Sequence, residues 1–312
     1  MRLPFDDQLL LDLLAALDTA GHAFVPPTPA THARVVSRAD CSRARDLAGV
    51  FGWSLPFDPR GLRHPALEAA WAAGLLEPAG EGLVKATVRS ARVHGRLFLH
   101  SAYPTDAEDS VFLGPDTYRF SDFVLAEMAR RSSPARIVDV GAGAGVGGVL
   151  AGLARPQARV TLCDVNAKAL RLARVNAAFA GLEVEVVASD GLASVQGALD
   201  LVLANPPFIM DDGARTYRDG GALHGAALSL RWALEAADRL AVGGALLLYT
   251  GAAIVAGEDV FRRELSRGLE GRGLSLRYRE VDPDIFGEEL ERPAYADVDR
   301  IAAVTAVVER PG

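Results

Sequence analysis

Apolar residues follow a helical spacing in the first third of the chain and form short, strand-like runs after it. The elements predicted for this first part are helices at 9–17, 42–51 and 65–73, and a β-hairpin formed by 83–89 and 95–100. Short helices followed by a hairpin predict a small α+β domain over residues 1–110, for which a winged-helix-like arrangement is one solution.

From Ser121 onward, strands and helices alternate, which is the pattern of a parallel sheet covered on both faces. The predicted strands are 136–140, 160–163, 184–187, 201–204 and 246–249, and helices are predicted at 167–180 and 226–240. Two extended runs, 274–281 and 301–308, are separated by an insertion and predict a closing antiparallel pair at one edge. The predicted fold class is therefore α/β, with a Rossmann-like seven-stranded sheet in residues 111–312.

The composition excludes several classes of protein. Half of the 312 residues are hydrophobic and 23% are charged, a balance that can bury a core and excludes a disordered chain. No apolar run reaches the ~20 residues that cross a bilayer, and Asp6, Asp7 and Asp12 interrupt the first run, unlike a signal peptide. Cys41 and Cys163 lie far apart and indicate neither a disulfide framework nor a zinc site. We expect a cytoplasmic protein with no membrane partner and no metal.

The net charge of −7 argues against a surface coated in positive potential for nucleic acid. A local basic patch is still open, because Lys85, Arg89, Arg92 and Arg96 fall on the predicted hairpin. Such a hairpin could bind RNA or DNA phosphates, and an ordinary solvated strand face explains the same charges equally well.

A glycine loop follows the first strand of the predicted sheet and opens a helix. Gly141, Gly143 and Gly145 suit a turn that requires positive φ and a ligand that must approach the backbone. Gly143, Gly145 and Gly148 also form G-x-G-x-x-G, the pattern of dinucleotide-binding proteins. The loop by itself leaves the cofactor open.

Three acidic residues narrow the choice of cofactor. Asp139 precedes the loop, where a carboxylate would repel a pyrophosphate and would suit an amino-acid ammonium. Asp164 ends the second strand, where it can accept from ribose hydroxyls, and Asp190 follows the third, where it can accept from an adenine amino group. The carboxyl ends of parallel strands meet at one edge, so these residues are expected to converge on one crevice.

The tetrapeptide Asn205, Pro206, Pro207 and Phe208 follows the fourth strand and carries the predicted chemistry. Amide and exocyclic amino nitrogens are poor nucleophiles because their lone pair is delocalised. The Asn205 side-chain oxygen and the Pro206 carbonyl could hold both N–H hydrogens of such a nitrogen. The prolines make the loop rigid, and Phe208 offers a flat face to a planar group.

These motifs, in this order over roughly residues 112–309, resemble those of the class I S-adenosylmethionine-dependent methyltransferases. The tetrapeptide resembles that of the "methyltransferase small" group, which includes HemK-like glutamine methyltransferases of release factors and guanine-N2 methyltransferases of ribosomal RNA. The segment 114–117 resembles a HemK-type segment that lies over the cofactor, which extends the resemblance to Asp116 and Thr117. HemK-like enzymes usually have tyrosine at the position of Phe208, and the guanine-N2 enzymes have histidine at that of Ile209, so the acceptor stays open.

The resemblance implies an S-adenosylmethionine-dependent N-methyltransferase that acts on a macromolecule, either a nucleic-acid base or a protein glutamine. Alternatives are a non-catalytic cofactor-binding module for RNA or protein, an NAD-dependent oxidoreductase, and a small-molecule methyltransferase. The loop 210–225 is predicted to be a lid or specificity loop, and residues 1–110 to recognise substrate. Within that loop, His224 is expected to start a helix rather than to act as a base.

Overall fold

The computed structural model describes residues 4–131, 134–211 and 218–312. Its α-helices are α1 (Phe5–Thr19), α2 (Pro29–Val36), α3 (Leu47–Phe51), α4 (Pro65–Ala72), α5 (Pro115–Met128), α6 (Val146–Ala154), α7 (Ala167–Phe179), α8 (Ala227–Arg239) and α9 (Val260–Leu269). Its strands are β1 (Leu76–Pro78), β2 (Val84–Ala86), β3 (Val88–Val93), β4 (Arg96–Ser101), β5 (Arg136–Val140), β6 (Arg159–Asp164), β7 (Glu185–Ala188), β8 (Leu199–Ala204), β9 (Leu240–Val255), β10 (Glu258–Asp259), β11 (Ser275–Asp282) and β12 (Arg300–Glu309). Short 3-10 helices lie at Ala39–Cys41, Gly287–Glu291 and Pro293–Tyr295.

The central sheet has the strand order β11-β12-β9-β8-β5-β6-β7, and the two-residue β10 pairs back onto β9. The strands from β9 to β7 in this order run parallel, while β12 and β11 are antiparallel to their neighbours. Helices cover both faces, since separate clusters of buried residues lie against each face. The predicted α/β fold, with its antiparallel pair at one edge, is confirmed.

Strand β9 extends beyond the predicted run 246–249 on both sides and includes Gly243 and Gly244 near its start. A Cβ at Gly244 would lie 2.6 Å from the Leu199 carbonyl oxygen, so the close approach of β8 requires glycine there. The register between β8 and β9 shifts from Leu199 opposite Leu240 to Leu201 opposite Ala245, so residues 241–244 form an irregularity in β9, at which Gly243 has a φ of +77°.

The predicted single hairpin of the N-terminal part is instead two separate antiparallel pairs, β1 with β2 and β3 with β4. The break predicted between 89 and 95 falls mostly inside β3. The chain reverses between β3 and β4 at a two-residue turn, His94 and Gly95, with φ of +46° and +77°. The run 83–89 is split because β2 pairs with β1, which the sequence does not mark as a strand.

The basic patch that the sequence leaves open on this hairpin is reduced in the structure, because three of its four cations bond within the protein. Arg89 is 2% exposed and donates to the Ser101 carbonyl. Arg92 pairs with Asp18 at 2.8 Å. Lys85 pairs with Glu77 at 3.2 Å. Among the four cations, Arg96 alone is exposed without a described partner.

One hydrophobic cluster joins the N-terminal elements to the sheet domain. It contains Leu13 and Leu14 of α1 and Leu97 of β4 together with Val149 of α6 and Val175 of α7. The cysteines Cys41 and Cys163 are both free. Across the described ranges, the structure shows neither a helix that could span a membrane nor a cluster of possible metal ligands.

Candidate active site

A cavity of about 360 Å³ lies at the carboxyl ends of the parallel strands. It gathers the predicted site residues from four segments of the chain: Asp139, Gly141, Gly143, Asp164, Asp190, Asn205, Pro206, Pro207 and Phe208 all line it. These residues follow or end strands β5, β6, β7 and β8, which are neighbours in the sheet. The structure thus brings together the residues that the sequence predicts for cofactor and acceptor, except Gly145, which is the N-cap residue of α6 and is not among the residues that line the cavity.

The glycine loop has the backbone that its sequence predicts. Gly141, Gly143 and Gly145 have φ of +66°, +54° and +80°, a region that other residues rarely adopt. Gly148 has a different role, because a Cβ there would lie 2.3 Å from Leu162 Cδ2. The third glycine of G-x-G-x-x-G is thus explained by the packing of α6 on β6 and requires no dinucleotide.

Asp139 is a buried carboxylate beneath the loop. It is 2% exposed, and its Oδ2 accepts a hydrogen bond of 2.7 Å from the Gly148 amide. Burial raises the pKa of Asp139 to about 7, against the effect of that hydrogen bond and with help from the nearby Asp164 carboxylate. Among the described residues, no cationic side chain contributes to the pKa shift of Asp139, so the site favours a ligand that brings positive charge.

Asp164 is held at the end of β6 by two backbone amides. Its Oδ2 accepts from Gly143 and its Oδ1 from Asn166, both at 2.9 Å. Burial raises the pKa of Asp164 in spite of these bonds. Because each carboxylate oxygen can accept more than one hydrogen bond, Asp164 can still accept from hydroxyl groups in the cavity.

Asp190 is exposed at the cavity edge and forms a two-point ion pair with Arg231 of α8, at 2.7 and 3.1 Å. These hydrogen bonds hold the pKa of Asp190 below its usual value. Arg231 also lines the cavity, so the edge carries a fixed pair rather than a lone carboxylate. The sequence does not predict this pair, since the two residues are 41 positions apart in the chain.

The tetrapeptide packs tightly against its surroundings. Phe208 is 8% exposed, and a Cβ at Gly251 of β9 would lie 2.4 Å from its ring. The segment 218–225 returns alongside, so that the Gly220 amide donates to the Ile209 carbonyl at 2.7 Å. A Cβ at Gly225 would lie 2.3 Å from the Phe208 carbonyl oxygen. The loop backbone therefore has little freedom at the predicted reaction centre.

A buried hydrogen bond lies at the floor of the cavity. The Tyr249 hydroxyl of β9 donates to Asp116 Oδ1 at 2.6 Å. Burial raises the pKa of Asp116, while Tyr249 and Arg119 act in the opposite direction. Asp116 and Thr117 line the cavity at the start of α5, in the segment 114–117 that resembles a HemK-type segment.

The loop after the tetrapeptide is described only in part. Asp212, Arg215 and Tyr217 lie outside the described residues. His224 does not start α8: it lies three residues before it, with φ of +51°, and contacts Asp297 at 3.1 Å. It is not among the described residues that line the cavity.

Comparison with known proteins identifies the family. A family model described as the methyltransferase small domain matches residues 108–253. A release factor glutamine methyltransferase from Bordetella pertussis is 32% identical over 258 residues, which cover 78% of this chain and 86% of that protein. The chain belongs to the methyltransferase small-domain family. This family lies within the class I S-adenosylmethionine-dependent methyltransferases, so the cofactor is S-adenosylmethionine.

Other relatives of this methyltransferase-family chain match shorter parts. A release factor glutamine methyltransferase from Deinococcus radiodurans is 35% identical over 179 residues, which cover 56% of this chain and 63% of that protein. A ribosomal RNA small subunit methyltransferase C from Salmonella choleraesuis is 44% identical over 84 residues, 27% of this chain and 24% of that protein. The chain thus spans less than two thirds of the length of these two relatives. A solved methyltransferase from Agrobacterium tumefaciens, with a TM-score of 0.50 and 17% identity over 78% of this chain and 80% of its own, shares the fold.

Several residues that line the cavity or lie against its glycine loop were not predicted from the sequence. Trp232 of α8 lies against the glycine loop, where a Cβ at Gly141 would be 2.6 Å from its ring. Phe286 lines the cavity from the insertion between β11 and β12, and Pro29 and Thr105 line it from the N-terminal part. The glycine at position 141 was the one sequence feature related to these residues. It did not show that the Trp232 side chain lies against the loop.

Proposed function

We propose that this chain transfers a methyl group from S-adenosylmethionine to a planar nitrogen, an amide or an exocyclic amino group, of a macromolecule. The observation that carries the proposal is the shared cavity: the tetrapeptide and the predicted cofactor residues line one space. Such a transfer is an in-line displacement, in which positioning is the main contribution that a protein makes.

The chain's own residues would hold the cofactor as follows. Asp139 would accept from the ammonium of the amino-acid part, Asp164 from ribose hydroxyls, and Asp190 from the adenine amino group. The buried carboxylate of Asp139, whose pKa is raised to about 7, fits this assignment because an ammonium would favour its charged form. When bound, the cofactor supplies an activated methyl group.

At the acceptor side, Asn205 Oδ1 and the Pro206 carbonyl oxygen would accept the two N–H hydrogens of the attacking nitrogen. This grip orients the lone pair and favours the rehybridised nitrogen as the new bond forms. The surrounding backbone is fixed by the contacts of Gly220 and Gly225, so little order has to be created when substrate binds. The nitrogen then loses a proton to water, and no side chain need act as base.

The relatives' printed substrates, a release factor glutamine and ribosomal RNA, both carry a planar NH₂ group and support this acceptor class. We propose that residues 1–110 form a substrate-recognition domain, supported by Pro29 and Thr105 at the cavity. The proposed compartment is the cytoplasm.

The test is transfer of a labelled methyl group from S-adenosylmethionine to a cell extract, which is then divided and treated with protease or RNase. Label that is lost with one treatment identifies a protein or RNA acceptor. Calorimetry with S-adenosylhomocysteine and with NAD completes the test, and binding of NAD alone would refute the proposal in favour of the oxidoreductase.

A further inference from the structure

The insertion between β11 and β12 folds over the loop that follows the tetrapeptide. The Tyr295 hydroxyl accepts a hydrogen bond of 2.8 Å from the Met210 amide, and Arg292 donates to the Met210 carbonyl. Arg218 binds Glu289 of the same insertion. The insertion thus binds both backbone groups of Met210. These contacts place the insertion at the acceptor end of the cavity.

The insertion brings a second phenylalanine to the tetrapeptide. The Phe286 and Phe208 rings have their centroids 5.6 Å apart, with planes inclined at 69°. Phe208 is 8% exposed and has Gly251 against its ring. Phe286 is only partly buried and lines the same cavity. The accessible aromatic surface therefore belongs mainly to Phe286, although the sequence assigns this role to Phe208.

Phe286 is held in a backbone conformation that a phenylalanine rarely adopts. Its φ and ψ are +55° and +40°, in the left-handed region, which costs a bulky residue roughly 1 kcal/mol or more. Hydrogen bonds on both sides fix it: the Ile285 amide donates to Ile301 at 2.8 Å, and the Glu289 amide donates to the Phe286 carbonyl at 2.9 Å. Asparagine or glycine would suit this backbone better, so the presence of phenylalanine points to a role for its ring.

We propose that Phe286 is a specificity-determining residue, whose ring supplies the face on which the planar acceptor group lies. Phe208 stands edge-on to it and fixes its position. This inference rests on the proposed N-methyl transfer and adds the surface that selects flat, delocalised acceptors. Stacking of a planar group on an aromatic ring typically contributes about tenfold or more in affinity.

The test compares Phe286→Asn, Phe286→Gly and Phe286→Tyr, with Val281→Asn as matched control. Asparagine and glycine tolerate the left-handed backbone, so both variants should fold. Val281 is 38% exposed on β11 and does not line the cavity. The probe is the extract fraction that the wild type labels, titrated to give KM and kcat, with S-adenosylhomocysteine affinity measured by calorimetry.

We expect Phe286→Asn and Phe286→Gly to raise KM for the acceptor fraction by about tenfold or more. Their S-adenosylhomocysteine affinity should stay within about twofold of wild type, and Phe286→Tyr and Val281→Asn should retain the wild-type KM. An unchanged KM in Phe286→Asn, or an equal rise in Phe286→Tyr, would overturn the inference while leaving the proposed function intact. A wild-type chain that labels neither fraction would instead refute the proposed function, and this inference with it.

Discussion

The side-chain amide of Asn176 hydrogen-bonds to both backbone groups of Leu99, so that helix α7 and strand β4 are joined as if by an added strand. Its Oδ1 accepts from the Leu99 amide at 2.8 Å, and its Nδ2 donates to the Leu99 carbonyl at 3.0 Å. The same nitrogen donates to the Ala144 carbonyl of the glycine loop at 2.9 Å. One buried amide thus ties the N-terminal part to the loop that lines the cavity.

Asn176→Ala should therefore lower the free energy of unfolding by about 3 kcal/mol, because it leaves buried backbone groups of Leu99 and Ala144 without partners. Chemical denaturation measures the loss. Gln196→Ala is the matched control, since this exposed amide should change stability by no more than about 0.5 kcal/mol. Equal effects of the two substitutions would show that the Asn176 hydrogen bonds contribute little.

Asp139→Asn should change the pH dependence of stability. The pKa of Asp139 is raised from 3.8 to about 7 in the folded protein, so its contribution to stability is full below about pH 4 and is lost as the pH rises through 7. Asparagine can still accept from Gly148 and does not ionise. In denaturation experiments without cofactor, the free energy of unfolding of the variant should rise relative to that of the wild type between pH 4 and 7. Parallel pH curves for the two proteins would contradict the raised pKa of Asp139.

The same substitution should weaken binding of S-adenosylhomocysteine, because the variant has no carboxylate to pair with the ligand's ammonium. In the wild type, affinity should rise as the pH increases through about 7, where Asp139 ionises. Calorimetry at pH 6 and pH 8 measures both effects. Equal affinities of wild type and variant at pH 8 would place the ammonium elsewhere.

Tyr249→Phe should destabilise the floor of the cavity. It removes the 2.6 Å hydrogen bond to the buried Asp116, which should cost about 2 kcal/mol in unfolding free energy. Tyr278→Phe is the matched control, because its hydroxyl donates to Asp259 at 2.8 Å outside the cavity. Only Tyr249→Phe should also weaken S-adenosylhomocysteine binding in calorimetry, and equal affinities for both variants would remove Asp116 from the binding site.

Substitutions at Gly143 of the glycine loop and at Gly148 of α6 should distinguish the effect of ligand approach from that of packing. Gly148→Ala should cost about 1–3 kcal/mol of stability, since its Cβ would overlap Leu162. Gly143→Ala has no atom within 4 Å of its Cβ, and its penalty comes from a φ of +54°, about 1 kcal/mol. Relative to the stability that each variant loses, Gly143→Ala should weaken cofactor binding in calorimetry more than Gly148→Ala does. The reverse order would contradict the placement of the glycine loop.

The sequence predicted the parts that depend on local chemistry. Positive φ at Gly141, Gly143 and Gly145 follows from the turn, and the convergence of Asp139, Asp164 and Asn205 follows from parallel strands ending at one edge. Each of these features can be recognised from a short stretch of sequence at the end of a strand. They could be recognised without knowing any long-range contact.

The features that the sequence did not predict depend on long-range contacts. Arg89 gives a basic pattern on a strand, yet it is buried, and its guanidinium contacts the Ser101 carbonyl and His32 of α2. Phe286 reaches the cavity only because the insertion bonds to Met210, 76 positions earlier in the chain. Neither the alternation of β3 nor the composition of the insertion carries that information.

The most direct measurement of the central claim is labelled methyl transfer by Asn205→Ala, beside Asn205→Asp and wild type, with S-adenosylhomocysteine binding measured on the same samples. Asn205→Ala should bind the ligand within about threefold of wild type and lose transfer by about 100-fold or more, because an acceptor for the substrate N–H is removed. Asn205→Asp keeps an oxygen acceptor and should retain measurable transfer. Transfer by Asn205→Ala within about tenfold of wild type, with normal ligand binding, would contradict the positioning role assigned to the tetrapeptide.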